Sequence, residues 1–477
     1  MTAAPRSISM PPPELDTMPL GWRHWRIWAV SASGQFLGGA IATLVGIILP
    51  LLHLRSEPTP STLELALTGA VELVGLMAGS LVIGHLTDRF GRLLFFRLGP
   101  VLMIAAGLSA ALSPNIGVLI VSLFLVGVGI GGEYALDAAY ISETMPARWR
   151  ILMVGAAKAT SAVGNAAGAL AGCVLILYYP EPQVWRAMLL FIPLAALLML
   201  LARLPFAESP RWLLEKGKNR QASAALHKLL GPHVAVGEQT CNAVTGGERA
   251  PSIMDLFRPG CRKQTILAGV PWACEGIGVY GIGIFTPVIM LILGAGVQGD
   301  APLSSFWDNQ LGAINATLFV NIFLIVGFLT GLAVMRKITH LEMQFFGFVL
   351  SAAGMAVLAQ GHMAGADPLV LMSGFIVFNL FLNAGPNLTT FILPVEIYPV
   401  RWRGTGYGFA AAMGQTGSVL GAFSFPFILK AWGLSTALWL VVLAQLAGAL
   451  VTGIFGRALN RQEAAEKAEQ EKMDAAR

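Results

Sequence analysis

Glu143-Thr-Met-Pro-Ala-Arg-Trp-Arg150 is written twice in this chain, the second time as Glu396-Ile-Tyr-Pro-Val-Arg-Trp-Arg403. Glu143 matches Glu396, Pro146 matches Pro399, and Arg148-Trp149-Arg150 matches Arg401-Trp402-Arg403. The offset is 253 residues each time, and Gly155 and Gly408 keep it. Each octet is charged and stands between long apolar runs. Charged, aromatic and proline residues agreeing at one offset mark a parallel duplication, two halves with the same internal order.

Composition names the class of protein. The chain has 477 residues, 55% hydrophobic and only 12% charged, where a soluble protein carries about 25%. Apolar runs recur along nearly the whole length, and a helical crossing needs about 20 such residues. The sequence predicts twelve spans: 27–52, 63–84, 94–112, 117–140, 152–178, 185–205, 265–293, 311–334, 343–362, 369–393, 404–429 and 434–456. Six precede the polar stretch 206–264 and six follow it, so both termini lie on one side.

Positive charge orients them. With the N-terminus inside, the outer loops hold only Arg55, Arg186 and Lys430 of the 31 Lys and Arg, whereas ten fall between Arg203 and Lys263. The basic balance is therefore a topology signal and implies no nucleic-acid partner. Both termini are expected to be cytoplasmic, in a multi-pass protein of a plasma membrane, expected to be a bacterial inner membrane. The predicted division is an N-terminal segment 1–26, a six-helix bundle 27–205, a linker with short helices 206–264, a second bundle 265–456 and a charged tail 457–477. The first 20 residues lack the regions of a signal peptide. Cys173, Cys241, Cys261 and Cys274 have no metal-type spacing and define no disulfide framework. No metal, cofactor, or nucleophile–base arrangement is expected, and no enzyme.

Chemistry inside the spans is sparse. The second span carries Glu72 and ends in Gly84-His-Leu-Thr-Asp88-Arg89-Phe-Gly91-Arg92. In the fourth, Gly127, Gly129 and Gly132 formally satisfy a dinucleotide fingerprint, but inside an apolar helix they serve close helix approach. Glu133 and Asp137 are four residues apart and share one face of that helix. An acid this deep costs about 2.5–3.5 kcal/mol. It either carries a proton or reaches water or an arginine near the inner helix end. Gln35, Ser161, Asn165, Asn383 and Gln415 are further polar groups inside spans, placed to line a cavity or to bond between helices. Pro386 predicts a kink beside Asn387.

The loop around Asp88 resembles the signature of the major facilitator superfamily. That resemblance implies an all-α polytopic membrane protein of 12 transmembrane helices in two six-helix parallel repeats, with a substrate site between them near the midplane. The octets resemble the second signature of that superfamily. By resemblance, Asp88, Arg89, Arg92, Glu143, Arg148, Glu396 and Arg401 form an inner gate of charge pairs. The equivalent loop in the second half, Met335-Arg336-Lys337-Ile338, has lost its acid and its glycine. The gate is therefore expected to be lopsided, with Arg148 mattering more than Arg401.

Glu208-Ser209-Pro210-Arg211-Trp212-Leu213 resembles the sugar-porter hallmark. Gly-Gly-Glu133-Tyr134, Trp272 eight residues before Tyr280, and Gly385-Pro-Asn387 resemble the phosphate:proton symporters. That branch implies Glu133, Tyr134, Trp272, Tyr280 and Asn387 as substrate-site residues. Its eleventh-span lysine is Gln415 here, its seventh-span acid falls at Gly276 beside Glu275, its fifth-span glutamine at Ser161, and its first-span aspartates at Gly38 and Ile41. The sugar-porter substrate residues are replaced at Trp272, Ala273 and Gly278.

An acid-rich cavity remains, with Glu72, Glu133 and Glu275, Asp137 below, and no facing cation except Lys158. Acids without a counter-charge in low dielectric can carry a proton near neutral pH. The expected function is proton-coupled symport, by a monomer, of a small polar metabolite that is sugar-, polyol- or organic-acid-like and neutral, polar or cationic rather than strongly anionic, with Glu133, Asp137 and Glu275 carrying the proton. The expected partners are that solute, the proton and the lipid bilayer. A proton-coupled efflux antiporter and a non-transporting nutrient sensor are the alternatives.

Overall fold

A computed structural model describes residues 13–53, 62–181, 183–231, 253–259, 261–283 and 303–475. A short helix α1 (Pro13–Thr17) precedes the first crossing, α2 (Trp22–His53). The first half continues through α3 (Thr62–Phe90), α4 (Arg92–Ala111), α5 (Ile116–Thr144), α6 (Ala147–Tyr178) and the pair α7 (Val184–Leu189) and α8 (Phe191–Arg203). Two short helices, α9 (Pro210–Glu215) and α10 (Asn219–Leu230), lie between the halves in sequence. The second half holds α11 (Arg262–Gly283), α12 (Leu303–Val334), α13 (His340–Met363), α14 (Pro368–Ala384), α15 (Pro386–Ile397) and α16 (Arg403–Ala475).

Among the described residues ten helical stretches are long and apolar enough to cross a membrane, and the last, Arg403–Gly456, has 54 residues. At 1.5 Å per residue that is roughly 80 Å, enough for two crossings. Gly433 turns the helix between them with φ +80°, a backbone angle that glycine adopts without strain. With the shorter apolar run Asn321–Val334 in α12, these make the twelve crossings that the sequence predicts.

Pairing of the helices repeats the duplication in space. In the first half α2 packs on α6, α3 and α4 on α5, and α4 on α8. In the second half α11 packs on α16, α12 and α13 on α14, and α13 on α16. The halves meet where α3 lies along α16 and α6 along α12.

Local sequence explains the ends and breaks. Asn115 caps α5 by accepting from Val118 N at 3.0 Å, and Pro146 follows its end. Ser209 caps α9 ahead of Pro210, and Gly231 ends α10 at φ +110°. The sixth span is interrupted at Leu190, because Pro193 cannot donate to the carbonyl of Leu189. The tenth span breaks at Gly385, where Pro386 starts a new helix. Expected residues 284–293 of the seventh span lie outside the described residues.

Close approach of α3 and α5 depends on glycine. A Cβ at Gly131 would stand 2.2 Å from the carbonyl oxygen of Leu76, and one at Gly127 would stand 2.1 Å from that of Glu72. Of the fingerprint-like glycines, Gly127 and Gly132 face α3, at Glu72 and Ile83, and Gly129 faces Met103 of α4, so all three serve packing. Gly131→Val is expected to destabilise the protein by about 1–3 kcal/mol through overpacking, read as a lower melting temperature in detergent. Gly46→Ala, where an added Cβ meets nothing within 4 Å, should melt close to the parent protein.

Candidate functional site

Charged groups gather in three tiers. The first closes the inner face. Gly91, at φ +104°, ends α3 and turns Arg92 back over Asp88. Arg92 pairs with Asp88 at 3.0 Å and with Glu143 at 3.0 Å, and it donates to the carbonyl of Val400 in the second half at 3.3 Å. Asp88 in turn accepts from Gly404 N at 3.1 Å, Thr405 N at 2.7 Å and Thr405 Oγ1 at 2.9 Å. The two backbone donors are free N–H groups at the start of α16, where the helix dipole favours a carboxylate. A first-half acid therefore caps a second-half helix. Arg403 adds a bond to Ser142 Oγ at 3.2 Å and stands 3.8 Å from Glu143.

The short helices brace this lock from below. Arg211 donates to the carbonyl of Glu143 at 3.1 Å, and Trp212 Nε1 to that of Asp88 at 3.1 Å. Glu208 accepts from the backbone of Arg92 and Leu93 at 2.9 and 3.0 Å, capping α4. Asp16 of α1 binds both Arg150 and Arg211, while Leu15 is buried against Leu226.

Two expected gate residues stand outside this network. Arg89 is exposed and lies over the ring of Phe90, because it sits one residue, about 100° of helix, past the inward-facing Asp88. Arg148 is exposed in the first turn of α6 over Trp149. The cations that reach Glu143 are Arg92, Arg403 and Arg211. Arg401's side chain lies outside the described residues. Glu396 pairs with His340 at 2.8 Å, and Arg336 lies over Trp149 at 4.9 Å, so the second-half loop is built differently.

The second tier is buried inside the first half. Arg203, at the end of α8, pairs with Glu133 at 2.6 Å and reaches Asp137 at 3.5 Å. It also donates to the carbonyl of Phe96 at 3.1 Å and lies 3.8 Å over that ring. Gln35 Nε2 donates to Asp137 at 3.4 Å. Glu133, Asp137 and Arg203 are all fully buried. Glu133 therefore does not stand without a cation, as the sequence reading expected. Arg203 belongs by sequence to the inner basic segment, yet its long side chain is buried against Phe96, Glu133 and Asp137.

The third tier lies between the halves; by residue count Tyr134, Lys158, Trp272 and Glu275 stand roughly 15–20 Å from their inner helix ends, and Phe391 and Tyr407 roughly 6–9 Å from theirs. Tyr134, Trp272, Phe391 and Tyr407 form one aromatic group, with ring centroids 5.5–6.2 Å apart. Lys158 of α6 sets its ammonium 5.0 Å from the Tyr134 ring and 5.6 Å from the Phe391 ring. Glu275 of α11 is buried within the electrostatic reach of Lys158, with no direct ion pair to it. Tyr280 lies one turn beyond and shares a cavity with Glu72, whose Oε1 has no partner. Gln415, next in sequence to the Gly414 that Trp272 packs against, is buried, and its Oε1 is also unpartnered, as is Tyr407 Oη.

The remaining candidates flank this tier. Asn387 donates to the Asn383 side chain at 2.8 Å, and Asn383 donates to the carbonyl of Asn379 at 2.7 Å, a ladder beside the Gly385 break. Ser161 and Asn165 continue the Lys158 face of α6 along α2, with Asn165 accepting from Thr43 at 3.4 Å. Among the described residues no three His, Cys, Asp or Glu gather as metal ligands.

A family model described as sugar (and other) transporter matches residues 35–460. This chain belongs to that family. The transporter is 30% identical over 444 residues to the inner membrane metabolite transport protein YgcS of Escherichia coli K12, covering 93% of this chain and 94% of that protein. It is 27% identical over 452 residues to the repressible high-affinity phosphate permease of Neurospora crassa, covering 86% and 78% of the two chains. Among solved structures, the proton:xylose symporter XylE bound to 6-bromo-6-deoxy-D-glucose aligns with a TM-score of 0.76 at 20% identity, over 91% of this chain and 95% of that one. The protein is thus a multi-pass major facilitator transporter.

Within this transporter, sequence reasoning missed the part played by Arg203, and it named Lys158 only as a possible exception. One signal for Arg203 was available. Two acids on one face of an apolar helix call for a cation, and Arg203 is the basic residue closing an apolar span. Its partners are 66 and 70 residues away, so no local pattern links them.

Proposed function

We propose that the chain carries a small polar metabolite across the membrane by alternating access, in symport with protons. The observation that carries this reading is the pairing of a sealed inner face with a polar, charged site above it that both halves build. Such a site opens to one side only when the opposite seal is made. YgcS is named as a metabolite transport protein and XylE as a proton:xylose symporter, which agrees with this reading.

Glu275 is the coupling carboxylate in this proposal. It is buried, free of a direct ion pair, and stands at the interface of the halves. Burial of an acid disfavours its charged form, so a proton can ride on it while the site faces either side. Glu133 and Asp137 form a second acceptor in the proposal. Two carboxylates against one guanidinium leave one negative charge over, which a proton can neutralise.

The test uses proteoliposomes and a solute first found by thermal-shift screening of sugars, polyols, organic acids, phosphate and amines. Glu275→Gln is expected to abolish accumulation driven by a pH gradient while leaving solute counterflow. Undiminished uphill uptake in that variant would contradict the coupling role.

A further inference from the structure

We infer that the central site takes a hydroxylated monocarboxylate, a sugar-acid type of solute, and that the Lys158 ammonium is its anion anchor. This rests on the transport reading and narrows its substrate.

Lys158 is 7% exposed and sits where the halves meet, between Tyr134 of α5 and Phe391 of α15. An ammonium has three donors, and among the described residues this one makes no hydrogen bond and no ion pair. Two aromatic faces stabilise it in part, but they accept no conventional hydrogen bond. A charged group held this way inside a membrane protein has open capacity for an anion. Every other cation described near a buried acid is engaged. Arg203 is held by Glu133 and Asp137, and Arg92 by Asp88 and Glu143.

The surroundings restrict the anion. Among the described residues there is one ammonium in this tier, so a second negative charge on the solute has no cation to meet. A monoanion fits where a dianion does not. Gln415 Oε1 is buried without a partner, and an amide oxygen can only accept. It calls for a donor such as a hydroxyl. Tyr407 Oη, also buried and unpartnered, can give or take a further bond. Trp272 packs on Tyr407 at 5.6 Å and against Gly414, the residue before Gln415. Anion anchor, aromatic wall and hydroxyl acceptor therefore follow one another across the interface of the halves.

The experiment measures stabilisation of the purified full-length protein by D-gluconate, D-glucuronate, D-glucose, D-glucosamine and D-glucarate. The two monocarboxylates are expected to raise the melting temperature, and the neutral sugar, the amino sugar and the dicarboxylate to do so far less. Lys158→Gln should weaken monocarboxylate binding about tenfold or more, and Lys158→Arg should keep most of it. The melting temperature of each variant without solute reports its folding. Stabilisation by glucose or glucosamine in preference, by none of the carboxylates, or by carboxylates equally in folded Lys158→Gln overturns the assignment. Proton movement separates this from the transport reading. A neutral sugar that drives proton uptake removes the anion site and leaves symport standing. A monocarboxylate that binds through Lys158 but moves no proton does the reverse.

Discussion

Arg203→Met is expected to leave almost no folded transporter in the membrane. The substitution keeps an apolar stem of similar length and removes only the guanidinium. Glu133 and Asp137 then remain buried with no cation, and stranding one partner of a buried ion pair costs about 3–5 kcal/mol. That is a large share of the roughly 5–15 kcal/mol that holds a protein domain together. Removing the stranded charges should reverse the loss. The triple variant Arg203→Met, Glu133→Gln, Asp137→Asn is expected to regain a monodisperse elution profile and much of its melting temperature. Normal yield of Arg203→Met alone would show that the three groups do not act as a unit.

The second large effect belongs to Asp88. Its carboxylate receives three hydrogen bonds from Gly404 and Thr405 and pairs with Arg92. Asn keeps the shape but presents an NH2 group to donors and carries no charge. Hydrogen bonds to a charged acceptor contribute about 1.5–3 kcal/mol each. A loss of about 3 kcal/mol shifts a two-state balance more than 100-fold. Asp88→Asn is therefore expected to open the inner face and to slow transport at least about tenfold, with little loss of folded yield. Arg148→Gln should transport like the parent, because Arg148 is exposed and faces away from Glu143. A greater loss in Arg148→Gln than in Asp88→Asn would restore the gate expected from sequence.

The architecture was legible because it is written in composition and repetition. Long apolar runs mark crossings whatever their neighbours, and the two octets share an offset that helix packing then reproduces. Asp88, Arg92 and Glu143 could be assigned together because their motif keeps its order. The buried site was less legible for a geometric reason. Sequence places Glu133 and Asp137 on one helix face but does not say which helix that face meets. Arg203 reads as one of many inner basic residues until α8 is packed against α4. Sequence singles out Lys158 as the one cation that can face the acids, but its seat between the halves is set only where α6 meets the second half, about 16 Å above its first turn. The lopsided gate was foreseen in part. The altered loop at Met335 was visible, whereas the use of Arg403 and Arg211 in place of Arg148 depends on the fold of the octet itself.

Transport by this mechanism requires the contact between Asp88 and the start of α16 to break and re-form in every cycle. Spin labels at Phe90→Cys and Ile338→Cys report on it, since both positions are exposed, at 55% and 39%, and belong to inner ends of opposite halves. Pulsed electron paramagnetic resonance on the reconstituted protein, with its native cysteines replaced, gives the distance between them. One short distance is expected in the resting protein, with a longer one dominating once Asp88→Asn is introduced. An unchanged short distance in Asp88→Asn would contradict the assignment of this contact as the inner gate.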